Sequence, residues 1–431
     1  MAEVKFKDLI ETISGEIPKY RKAIFKAVII GMIVGESNKC ISGIFRMFEL
    51  LMFSMGISRR CFYGFLQSGK LPLGKVWDRL LAMFGESLMT AGRLILLLDD
   101  TTYGKTGRKI AGCDSHYDHA SKINSSKYIH GHCRVLLGVL AFIHNRWACL
   151  PISNGLYRLK KSVDKEHFMT KLQIAGKLIR QASERFSCNI LIATDSWFGN
   201  KTLIKELGKE LVERINILTR LRKDTRLCEV SVEDTGKKGR KRKYGKKLPK
   251  LYEMTGSLER IKESLLIYGR KRECEYSEFI AMHRGFMRQV KVVLIYNRNG
   301  YIFPIVSTDL SLSAKQMIEY YSARWKIESG FKELKHELGA IDNQARKRES
   351  VENHFELCSI AQTAAWLYAL KQTKAPERKY VSARSSLFSF GDIRRKISNE
   401  VYENPIFDST CYKGLKSLEN IFIFLFLRRS A

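Results

Sequence analysis

Five consecutive apolar residues, Leu94 to Leu98, run directly into two adjacent aspartates, Asp99 and Asp100. So short a run without polar alternation suits a strand buried on both faces, inside a sheet that helices cover from each side. A second run, Ile190 to Thr194, ends on Asp195. Between them, Val135 to Ile143 and Arg146 to Ser153 read as two further strands joined by a turn at His144-Asn145. DKEHFMTKLQIAGKLIRQAS, residues 164–183, reads as an amphipathic helix. A helix is expected from about Asn200.

Strand, strand, strand, helix, strand, with an acid after the first and the fourth strand, is the ribonuclease H-like order. An α/β core of this type is expected over 91–214, resuming at 311–371. Residues 1–90 carry apolar positions at three-and-four spacing, broken by Gly, Ser and Pro and by paired arginines. They predict a small helical DNA-binding domain, with Ser58 as a helix N-cap before Arg59 and Arg60. Residues 215–310 alternate as strands do, and Asn299-Gly300 reads as a hairpin turn. This stretch is expected to be a β-rich, basic insertion. Residues 372–431 form a mixed tail, a candidate for dimerisation. In it, Ile421 to Leu427 (IFIFLFL) reads as a buried strand or a packed helix end.

The chain of 431 residues carries 75 basic against 44 acidic residues, a formal net charge of +31. That excess points to a phosphate polymer, because neutralising phosphates releases condensed counterions. Nine of the 14 residues from Lys237 to Lys250 are basic. Lys237, Lys238, Arg240, Lys241, Arg242 and Lys243 are expected to track DNA phosphates. The alternative is a solvated loop. Ten cysteines without a CxxC pair read as free thiols of a reducing compartment. No apolar run approaches a membrane span. The expected setting is the prokaryotic cytoplasm, at the nucleoid, with no membrane partner.

A long helix is expected from Ser313, its cap, to Gly339, its stop. On a straight helix Tyr321, Arg324, Glu328 and Lys335 fall within an arc of about 60°. Ile327, Phe331, Leu334 and Leu338 gather on the neighbouring face. One side packs, and the other presents a carboxylate among a Tyr, an Arg and a Lys. An exposed face with ordinary ion pairs would look the same. A second long helix is expected over about Val351 to Lys371.

The spacing Y-x2-R-x3-E-x6-K resembles the YREK signature of one branch of the DDE insertion-sequence transposases, the insertion-sequence-four family. LLLDDTTYGK resembles its first catalytic block and LIATDSWFGNKTLI its second. The resemblance runs from about Arg93 to Leu370 with a poorly matched middle. It implies Asp100, Asp195 and Glu328 as catalytic and metal-binding carboxylates, since the acid directly before Thr is the catalytic one in that branch. Strand alternation agrees that Asp99 and Asp100 cannot both face one metal. The resemblance further implies two Mg²⁺ or Mn²⁺ ions, with one activating water or a 3′-hydroxyl and the other stabilising the leaving oxygen. Tyr321, Arg324 and Lys335 would hold phosphates beside the cut. Nicking at element ends, a hairpin and strand transfer would follow, carried out by a homodimer on paired DNA ends. The 133 residues between Asp195 and Glu328 exceed a minimal core, and that branch carries a β-rich insertion there.

Other readings of the chain fare worse. Cys113, His116, His119, His130, His132 and Cys133 cluster, but in no common zinc spacing. Gly104-Lys105-Thr106 lacks the glycine that a phosphate-binding loop needs five residues earlier, where Asp99 stands. Tyr321 as a recombinase nucleophile would want several arginines and a histidine around it. An inactive or domesticated DNA-binding derivative is the main rival from another class.

Overall fold

A computed structural model describes residues 3–36, 38–118, 124–222, 225–230, 244–297, 301–380, 387–403 and 406–407. The six basic side chains between Lys237 and Lys243, His119, Asn299-Gly300 and the Ile421 to Leu427 run lie outside the described residues. The six helices of the N-terminal part are α1 (Phe6–Ser14), α2 (Lys19–Val34), α3 (Ile41–Met47), α4 (Glu49–Ser54), α5 (Arg59–Leu66) and α6 (Leu73–Phe84). Ser58 does stand at the N-cap of α5, but its hydroxyl makes no capping bond to the backbone.

The chain then enters one mixed sheet. Its first half comprises β1 (Met89–Thr90), β2 (Arg93–Gly104), β3 (Asp114–Tyr117), β4 (Tyr128–Ile143), β5 (Arg146–Tyr157), β6 (Ile190–Thr194) and β7 (Ile215–Arg220). β4 pairs antiparallel with both β2 and β5. β6 lies parallel to β2, and β7 lies parallel to β6. The order β5-β4-β2-β6-β7 is that of a ribonuclease H-like core. His144 and Asn145 both take positive φ, as a tight hairpin with matched twist requires. β7 belongs to this core, six residues beyond the boundary expected at 214. Its single short run, INILTR, carries no pattern that separates it from the strands that follow.

Those strands continue the same sheet. β8 (Leu227–Cys228), β9 (Ile261–Ile267), β10 (Arg270–His283), β11 (Arg288–Tyr296) and β12 (Ile302–Ser307) are all antiparallel to their neighbours. β12 closes the excursion by pairing with β7, Ile305 opposite Arg220. The β-rich insertion is thus an extension of the sheet, not a separate layer.

α7 (Lys171–Arg185) and α8 (Lys201–Val212) cover one face of the core. α7 starts with a capping box in which Thr170 and Gln173 satisfy each other's backbone N–H groups. α9 (Ala314–Ala323), α10 (Lys326–Lys332) and α11 (Arg348–Leu370) cover the other face. Ser313 caps α9 as expected, in a second capping box with Gln316. The straight helix expected from Ser313 to Gly339 is broken instead. It bends at Arg324-Trp325 and ends in a π turn over Glu333–Glu337, where Leu338 N–H reaches back to Glu333 O. Gly339 stops it with φ of +73°.

α11 is buried along most of its length and around its whole circumference, from Val351 to Ala369. It carries the N-terminal helices. Phe6 meets Tyr368 edge-on, the Trp77 indole N–H donates to Glu356, and Asn353 Nδ2 donates to the carbonyls of Leu66 and Ser68. α12 (Phe390–Glu403) completes this side, with Arg394 Nε donating to Ile33 O. Among the described residues, no helix is long and apolar enough to cross a membrane.

Candidate functional site

β6 ends beside the middle of β2, which runs on to Gly104 paired with β4 alone on that side. Leu98 is in register with Thr194, so Asp195 leaves the sheet beside Asp99, which stays in β2 opposite Leu136. Thr194 Oγ1 donates to Leu98 O at 2.9 Å and ties the end of β6 to β2. The Asp195 carboxylate accepts the backbone N–H groups of Trp197 and Phe198, each at 3.0 Å, which fixes a tight turn. Its carbonyl accepts Thr219 Oγ1 at 2.8 Å. Gly199 lies against Thr219, and a Cβ there would come within 2.2 Å of the threonine oxygen. The turn is therefore held rigidly between β6 and β7.

The two acids of β2 part company. Asp99 points to the α9–α10 face and pairs with Arg324 Nη1 at 3.1 Å. Burial, reinforced by the charge of Asp195, pushes Asp99 up to about 7, while Arg324 opposes the shift. The other guanidinium nitrogen of Arg324 lies 3.9 Å from Glu328, so one cation bridges a carboxylate of the sheet and one of the helix. Burial raises Glu328 above the usual range. Asp100 points to the opposite face, where Lys171 Nζ pairs with it at 2.7 Å and the Cys133 thiol donates at 3.4 Å.

Of the four side chains of the YREK spacing, Arg324 and Lys335 meet β2 directly, Glu328 is reached through Arg324, and Tyr321 lies over β12. Tyr321 packs on Phe303 and lies within the fields of Asp195 and Arg324, its hydroxyl raised chiefly by burial. Lys335, on the π turn, donates to Thr102 O at 3.1 Å and is lowered by burial. The structure thus gathers Asp99, Asp195, Tyr321, Arg324 and Glu328 on one face and leaves Asp100 on the other. Among the described residues, no three of His, Cys, Asp or Glu converge closely enough to hold a metal ion as they stand. The donor types themselves suit a hard divalent cation. They are carboxylate oxygens only, with Asp99 raised first by burial and then by the charge of Asp195, and a guanidinium already supplies them with positive charge.

Three residues near the site escaped the sequence reading. Lys171 opens α7 beneath Asp100. Arg220 ends β7 with its guanidinium 4.4 Å from the Phe303 ring centroid, next to Tyr321. Trp197 follows Asp195 by two positions and is exposed. Only the contact across strands and helices reveals the first two. Of the cysteine and histidine cluster, Cys113 and His132 approach to 3.4 Å, but His132 Nε2 also meets Ala111 O, and burial holds His132 down to about 4.

The sequence matches the model of a DDE superfamily endonuclease over residues 15–277. The chain belongs to that superfamily. The match spans Asp99, Asp100 and Asp195 and ends before Glu328. No curated protein matches the sequence. Among solved structures the chain is similar to the piggyBac transposase in its synaptic complex with hairpin DNA, at 12% identity and a TM-score of 0.43, covering 96% of this chain and 84% of that one.

Proposed function

We propose that this DDE superfamily endonuclease is a DNA transposase of the YREK branch, which cuts at the ends of an insertion sequence and transfers the strands to target DNA. The single observation that carries the reading is the bridge Asp99–Arg324–Glu328, set beside Asp195 where β6 ends against β2. Asp195, Glu328 and one acid of β2 are the proposed carboxylates. Asp99 is the β2 acid on the Glu328 face, and Asp100 is the one that the resemblance selects. Two Mg²⁺ or Mn²⁺ ions, when held by these oxygens, would activate the attacking oxygen and stabilise the leaving one.

The chain's own residues bind and orient. Arg324 can give two parallel N–H bonds to a phosphate, and Lys335 adds a point charge farther along β2. Tyr321 walls the site and excludes water beside the reacting phosphate. The net charge of +31 supports double-stranded DNA as partner, gripped in part by the basic run from Lys237 to Lys243. The N-terminal helices are the proposed end-binding part and the tail the proposed dimer contact.

The test compares the protein with Glu328→Gln on DNA carrying the element's own ends, with Mg²⁺. Cleavage by the wild type, with binding but no cleavage by the variant, supports the reading. Equal cleavage by both removes Glu328 from the site. Binding without cleavage by either favours a domesticated or inactive derivative.

A further inference from the structure

Two lysines among the described residues are buried, Lys39 at 4% and Lys105 at 8% exposed. Lys39 stands between α2 and α3, in the N-terminal part, yet its bonds run to the π turn and the loop after it. Its ammonium donates to Glu337 O, and its backbone N–H donates to Asp342 Oδ2 at 2.7 Å. Gly339 lies so close that a Cβ there would come within 2.5 Å of Lys39 Cβ. Arg394 of α12 brings a second cation. Its Nη1 donates to the Glu337 carboxylate at 3.2 Å, while Nε and Nη2 donate to Ile33 O at 2.6 Å and Gly35 O at 2.8 Å. Lys105 closes the other side by donating to Ile341 O and Asn343 O, both at 2.6 Å.

Carbonyls at the C-terminal end of a helix carry partial negative charge and attract cations. The end gripped here belongs to the π turn that carries Lys335. Such turns are rare, and many sit at functional sites. Burial, and then the charge of Arg394, holds Lys39 down to about 7, while Cys358, Glu337 and Asp342 oppose the shift. A cation taken out of water in this way costs folding energy, so its place at the π turn points to a task other than stability.

We propose that Lys39 is a positioning residue, through which the N-terminal part holds the end of the π turn and sets Lys335 on β2 beside the acids. This rests on the reading above in which Lys335 holds a phosphate next to the cut. Lys39 itself is buried and acts through the turn, not on DNA.

The experiment pairs hydrogen exchange of the whole protein, read in peptides over residues 333–340, with cleavage of supercoiled plasmid in Mn²⁺. Lys39→Met keeps the unbranched stem and removes the ammonium. Exchange over the π turn is expected to quicken on the order of tenfold. Cleavage should fall about tenfold at unchanged affinity for paired DNA. In a Lys335→Ala background the further loss on Lys39→Met should shrink to within about twofold, because the residue it positions is gone. Should Lys39→Met not fold, Asp342→Ala, which releases the Lys39 backbone, takes its place with the same readings expected. Unchanged exchange overturns the proposal, and so does an equal loss of cleavage with and without Lys335. If exchange quickens while Lys335→Ala alone cuts like the wild type, the phosphate role of Lys335 fails and the hold of Lys39 on the π turn stands.

Discussion

Asp99 and Asp100 are one bond apart in sequence and on opposite sides of a sheet in space. Neutralising each tests which side does chemistry. Asp99→Asn, Asp195→Asn and Glu328→Gln are expected to lower plasmid cleavage on the order of a hundredfold to a thousandfold. Asp100→Asn, which takes the charge from the partner of Lys171 and Cys133, should cost about tenfold. The reverse ranking would assign the β2 acid to Asp100. A different acid is expected to make stability depend on pH. Glu333 is buried, accepts bonds from Gln362 Nε2 at 2.7 Å and Trp366 Nε1 at 3.2 Å, and is pushed by burial from 4.5 up to about 7. Between those two values the native state holds a proton that the unfolded chain has released. Stability contributed at low pH is therefore lost as pH rises through about 7. Glu333→Gln should flatten that slope, read as urea midpoints at about pH 5 and about pH 8. A variant that weakens with pH as steeply as the wild type would remove Glu333 as the cause. The sequence showed the two acids but not their assignment, because alternation says that neighbours diverge without saying which face the helix will cover.

The elements themselves were largely legible. Unbroken apolar runs gave β2 and β6, the His144-Asn145 turn gave the β4–β5 hairpin, and Ser313 gave the start of α9. What the pattern concealed was the break in the helix. Arc arithmetic on a straight helix placed Tyr321, Arg324, Glu328 and Lys335 together; Arg324 and Lys335 meet β2, whereas Tyr321 packs on Phe303 of β12. The break at Arg324-Trp325 and the π turn under Lys335 shift the helical phase between them, and no local sequence preference announces either. The turn after β6 is the element most exposed to a single change. Gly199→Ala would drive a methyl group into Thr219, whose side chain is buried and bonded to Asp195 O. The expected cost is about 1–3 kcal/mol of stability, together with a fall in cleavage as the Asp195 carboxylate is displaced. Gly199→Ala with a wild-type melting temperature and activity would show that the turn yields freely.

At the scale of the molecule, the sequence suggested an N-terminal part set apart from the core, and the packing joins the two. Phe6, Trp77 and the loop after α5 all anchor on α11, which also floors the sheet. Trp77→Ala is expected to cost about 3–5 kcal/mol and to lower a melting transition that the helices and the core share. Two separate transitions, with only the first moved, would mean that the helices unfold independently. The joint burial was not readable beforehand because α11 is apolar all round, and such a helix does not declare its partners.

The strands that leave and re-enter the core, β7 and β12, are hydrogen-bonded neighbours, with Arg220 opposite Ile305. In polymer terms, everything between them is the loop of a single hairpin. Its two ends stay in contact however many residues hang from them, and lengthening such a loop adds only a slowly growing closure entropy, about 0.6 kcal/mol for each doubling. The half of the sheet that carries Asp99 and Asp195 is thereby insulated from the size of what has been spliced into it. This site in the fold can gain or lose substantial sequence while the geometry around Asp195 is preserved.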